Sequence, residues 1–100
     1  MSDETNPRKN VQIQIQIDEE TAQGRYVNLA VVNHTETEFT FDMLYLQPQQ
    51  PKATVRARLI SSPKHAKRVL SALQENVRRY EERFGEIELA GPNPADQLLQ

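Results

Sequence analysis

From residue 11 the chain alternates strictly. Val11, Ile13, Ile15 and Ile17 are separated by Gln12, Gln14 and Gln16, the period of two that turns one row of side chains to a core and the other to water. A strand is therefore expected over 11–17. Asp18 follows as a candidate N-cap, with Glu19 and Glu20 where a helix dipole favours negative charge and Gly24 to end the turn. One helical turn or a tight loop is expected there.

Residues 25–33, RYVNLAVVN, are rich in β-branched side chains. After HTET comes EFTFDMLYLQP, which places Phe39, Phe41, Met43 and Tyr45 on one face. The two runs predict a hairpin. Pro48 and Pro51 interrupt the pattern, because proline donates nothing to a ladder and restricts the residue before it. Alternation resumes in ATVRARLIS, where Val55, Ala57 and Leu59 are expected on one side and Thr54, Arg56 and Arg58 on the other.

Ser62 and Pro63 then supply an N-cap and a first helical residue whose missing N–H costs nothing. Ala66, Val69, Leu70, Leu73, Val77, Tyr80 and Phe84 form one apolar stripe, with Arg83 in the last turn and Gly85 as the stop. The expected fold is α+β in the order β-β-β-β-α, a four-stranded antiparallel sheet with one long C-terminal helix packed on one face. Residues 1–10 and 89–100 are expected as flexible tails around a single domain over 11–88, with Ile87 and Leu89 able to add a short extended segment.

The run AQGRYVNLAVVNHTETEF, and QPQQPKATVRARLISSPKHAKRVLSALQENVRRYEERFGEI after it, resembles a prokaryotic family catalogued as domain of unknown function 3467. The resemblance covers roughly residues 11–88. It supports the domain boundaries, and it implies no activity, cofactor or catalytic residue.

Composition narrows the chemistry. There is no cysteine, which excludes disulfides, thiolate catalysis and thiolate metal sites. No stretch is apolar for long enough to span a bilayer or to act as a signal sequence, so a cytoplasmic protein is expected. His34, in the HTET turn, and His65, in the first helical turn, belong to no metal or catalytic motif. Three scattered glycines make no phosphate loop. Glu38 and Asp42 could pass for an acid/base pair, but cross-strand ion pairing with Arg56 and Arg58 is the simpler expectation. No catalytic residue, metal or cofactor is expected.

Charge is distributed unevenly. Residues 1–42 carry three basic and eight acidic side chains, residues 43–74 six basic and no acidic ones, and residues 75–100 three basic and six acidic. The acid-free segment marks Lys52, Arg56, Arg58, Lys64, Lys67 and Arg68 as a candidate anion or nucleic-acid patch. Lys64, Lys67 and Arg68 open a helix, the wrong end for cations, so a bound anion would relieve a small conflict. A solvated basic face is the simpler reading, since the net charge is −2 and no exposed aromatic is expected beside the patch to stack bases.

A sheet with one helix has a second face, to which Ala30, Val32, Leu44, Leu46 and Ile60 are assigned. Together with the edge residues Gln12, Gln14 and Gln16, they form the candidate oligomer interface. The expected function is that of a non-enzymatic interaction module, a homo-oligomer with a dimer favoured, serving an unidentified protein or anionic partner away from membranes. Nucleic-acid binding through 52–68 is the alternative. A chaperone or adaptor role like that of the SecB export chaperone rests on fold analogy alone.

Overall fold

The computed structural model describes residues 11–97, without the side-chain environment of Gln97. The expected N-terminal tail, and the last three residues of the C-terminal one, lie outside the described residues. The ordered elements are α1 (Glu19–Ala22), β1 (Leu29–His34), β2 (Phe39–Leu46), β3 (Ala53–Ser61), α2 (Pro63–Phe84) and a closing 3-10 turn over Pro94–Gln97.

Local chemistry accounts for the boundaries. The Asp18 carboxylate accepts from the Thr21 N–H at 3.2 Å and caps α1, while Gly24 takes a positive φ of 77° directly after that turn. Ser62 Oγ accepts from the His65 N–H at 3.1 Å, Pro63 occupies the first position of α2, and Gly85 ends it with its N–H bonded to the Glu81 carbonyl. In the β1–β2 turn, the Thr35 hydroxyl accepts from the backbone of Thr37 and of Glu38. Asn28 extends the hairpin by one step, because its side-chain amide accepts from the Leu46 N–H at 2.8 Å and donates to the Leu46 carbonyl at 3.1 Å.

The strands form an antiparallel meander in the order β1-β2-β3. Register sorts their side chains. Ala30, Val32 and His34 lie opposite Met43, Phe41 and Phe39, and Ala57, Leu59 and Ser61 complete that aromatic face from β3. Leu29 and Val31 lie opposite Leu44 and Asp42 on the other face. The pairing of β2 with β3 then skips one residue: Met43 faces Ala57 but Leu44 faces Val55, so Arg56 is the extra residue of a β-bulge. The Arg56 carbonyl accepts from Arg25 Nη1 at 2.6 Å. The bulge reverses the alternation expected for β3. Val55 turns to the face of Leu44, whereas Ala57 and Leu59 stay on the aromatic one.

Two expectations are corrected. Residues 11–17 belong to no strand, so the sheet has three strands; period two marks a segment able to pair and says nothing of whether an edge within reach accepts it. The helix stripe is also not buried by the sheet. Of α2 only Ala66 is buried, and Leu70, Leu73, Tyr80 and Phe84 keep half or more of their surface, Leu73 60%. The buried apolar core among the described residues is Leu29, Leu44 and Ala66. The closing turn lies against β1.

This leaves the chain open in shape. Its radius of gyration is 17.8 Å, against about 13 Å for a compact chain of this length. It exposes 9431 Å², against about 5,800 Å² for a compact monomer of the same mass. If the thirteen residues outside the described range are credited with full extended-chain exposure, the described part still shows roughly 2,000 Å² more than a compact fold of its size.

Candidate functional site

The bulge at Arg56 divides the basic segment. Arg58 lies on the same face as Asp42, directly opposite it in register, and grips it with Nε to Oδ1 at 2.7 Å and Nη2 to Oδ2 at 2.9 Å. The carboxylate is largely buried and the guanidinium is not. The hydrogen bond from Arg58 holds the Asp42 carboxyl below its ordinary pKa, and the same bond raises that of Arg58. Arg58 is committed to structure.

Arg56 goes to the opposite face. Its guanidinium lies over the Tyr45 ring, 4.9 Å from the centroid. Tyr26 meets Tyr45 edge-on with centroids 6.3 Å apart, and Tyr26 is 71% exposed. A half-buried aromatic therefore stands against a cation of the segment, with the exposed Tyr26 packed on that ring. Residue 26 is far from residue 56 along the chain, and only the register joins them. The aromatic row continues at the other end of the sheet, where Phe39 stacks on Phe41 and His34 stacks on Phe39.

Lys64, Lys67 and Arg68 stand exposed in the first turns of α2, spaced so that they share a face. Lys52 sits in the β2–β3 turn, its N–H bonded to the Gln50 carbonyl. The six cations thus occupy four places: the aromatic face, the Asp42 face, the start of α2, and the β2–β3 turn at the far end of β3.

The residues assigned to an oligomer interface are divided as well. Ala30 and Val32 lie exposed on the aromatic face. Leu44 is buried and Leu46 half-buried on the other, where Ile60 is exposed. Leu44 is core within one chain, which removes it from any surface. Gln12, Gln14 and Gln16 are exposed along segment 11–17.

Along α2 the ion pairs lie apart from the stripe, while the Arg83 guanidinium lies over the Phe84 ring, 5.3 Å from its centroid. Arg78 bonds Glu75 and Glu82, each at 2.6 Å, and Arg79 bonds Glu75 at 3.1 Å. Hydrogen bonding from Arg78 lowers the Glu75 pKa. The helix is thus amphipathic with both of its faces in water. Its apolar face carries the Tyr80–Phe84 pair at 5.0 Å.

No group of three or more His, Asp or Glu side chains among the described residues could hold a metal ion. A shallow hollow between Leu46, Pro48, Pro51, Ala53 and Pro94 has no titratable side chain in its wall. Among the described residues no helix is long and apolar enough to cross a membrane.

The extent of the family match decides the classification. The model of the family described as "Protein of unknown function (DUF3467)" matches residues 1–89. The chain belongs to DUF3467. Comparison with the curated proteins and with the solved structures found no match. In this DUF3467 chain the matched span includes the exposed segment 11–17, all three strands and the whole of α2.

Proposed function

We propose that this DUF3467 protein is a non-enzymatic interaction module that works as a homodimer in the cytoplasm, with a fold completed only when two copies meet. The observation that carries this is the apolar stripe of α2, open to water from Val69 to Phe84, together with a half-open aromatic sheet face. A monomer has no reason to keep both uncovered. The excess of roughly 2,000 Å² per chain is in the range that obligate interfaces bury. The four-stranded sheet expected from sequence belongs to the assembled state. Lack of cysteine suits a reducing compartment. Exposed Lys64, Lys67 and Arg68 remain available for an acidic protein partner.

Thermal unfolding tests the dimer. Its midpoint should rise with protein concentration, because dissociation accompanies unfolding. A midpoint that stays constant over a hundredfold concentration range, roughly, contradicts the proposal.

Nucleic-acid binding is the second reading, and one observation favours it: Arg56 stacked on Tyr45 with Tyr26 alongside. Such a group offers both charge and a stacking surface, and stacking contributes about 1–3 kcal/mol per base in single-strand binders. Retention of single-stranded oligonucleotides that falls steeply with salt is its signature.

A further inference from the structure

Residues 11–17 take no part in the described fold. They belong to no helix or strand and are exposed along their whole length, Ile15 at 90%. In pattern they are a complete strand with no charge, proline or glycine. Four branched side chains in water are costly for the chain to keep there.

Two sheet edges lack a strand partner among the described residues, although the closing turn lies against β1, and they differ. The outer edge of β3 carries a bulge, Arg56 and Arg58, all features that discourage a further strand. The outer edge of β1 has none of these. LAVVNH contains no charged residue and no proline, and it pairs with β2 in continuous register over its six residues. A seven-residue arm fits that length.

We propose that the arm of one copy adds to the free edge of β1 in a second copy, and the reverse, giving two four-stranded sheets. This rests on the dimer proposed above and specifies how its chains are joined. Val11, Ile13, Ile15 and Ile17 continue the row of Val32, Phe41 and Leu59 on the aromatic face. The glutamines extend the face that holds Asp42. A slip of one residue would move all four branched side chains off the open aromatic row to the face of Leu29, Leu44 and Asp42, so burial against the aromatic row fixes the register. The arrangement is reciprocal and closes on itself, as a two-fold dimer requires.

Because the chain has no cysteine, introduced thiols report cleanly. Isotopically heavy Gln14→Cys protein is mixed with light Asn33→Cys protein and joined by a short bis-maleimide; a parallel sample carries Ile60→Cys on β3 instead. A heavy–light product with Asn33→Cys and none with Ile60→Cys is expected. A product only with Ile60→Cys, or closure within one chain of a Gln14→Cys/Asn33→Cys double variant, overturns the proposal. Amide exchange over 12–17 in the unmodified protein gives the second measurement, with slowing by about a hundredfold against free peptide expected. A protein that is dimeric by mass but exchanges freely along the arm keeps the dimer and rules out the arm. A monomeric protein overturns both.

Discussion

Arg58 and Asp42 face each other across β3 and β2, joined by two hydrogen bonds of 2.7 and 2.9 Å. The pair closes the face of the sheet that also holds Leu29 and Leu44. Its pH dependence has a definite sign. Arg58 lowers the folded-state pKa of Asp42, so the contribution of the pair is complete above the unfolded carboxylate range, near pH 4, and is lost as pH falls through the lowered value. Asp42→Asn should lower the thermal midpoint at pH 7, and the difference from wild type should shrink towards pH 2. Two melting curves that stay equally separated across that range would show that Asp42 does not act through its charge.

Ser62→Ala removes the cap of α2, where the hydroxyl accepts from the His65 N–H. The expected loss is about 0.5–2 kcal/mol in chemical denaturation. An unchanged midpoint would mean that α2 does not unfold together with the sheet.

The elements were largely legible in the sequence, and their relations were not. Asp18, Gly24, Ser62, Pro63 and Gly85 signal boundaries through their own backbone chemistry, and each stands where the structure places a cap or a stop. The bulge at Arg56 is different. An extra residue in β3 becomes visible only against β2, and it separates Arg56 from Arg58, which the sequence pattern puts on one side. Register likewise brings Ala30 and Val32 to the aromatic face, away from Leu44 and Leu46. The apolar stripe of α2 was legible as a stripe, but period 3.6 does not say whether a helix packs on its own sheet or on a neighbour. For the same reason Tyr45, the aromatic partner of Arg56, and Tyr26 against Tyr45 are found by geometry alone.

Tyr45 and Arg56 give the nucleic-acid reading a specific prediction. Tyr45→Ala and Arg56→Ala should each weaken binding of a single-stranded oligonucleotide at low salt, and Arg56→Ala should also flatten its salt dependence. Arg58→Ala serves as the comparison, since that guanidinium already holds Asp42. If all three variants bind alike, the aromatic face is not where the oligonucleotide lies.

Leu73 lies near the middle of the exposed stripe. Leu73→Asp should leave the circular dichroism of the isolated chain near that of wild type, because the side chain touches little within one copy. It should shift the association equilibrium strongly towards monomer. Loss of secondary structure at every concentration would instead show that Leu73 packs inside a single chain.

The mass of the unmodified protein in solution, measured by light scattering behind a sizing column from nanomolar to micromolar concentration, tests the central claim most directly. Twice the chain mass is predicted over the upper part of that range, with α2 and the aromatic face as the covered surfaces. A single chain mass at every concentration would contradict it.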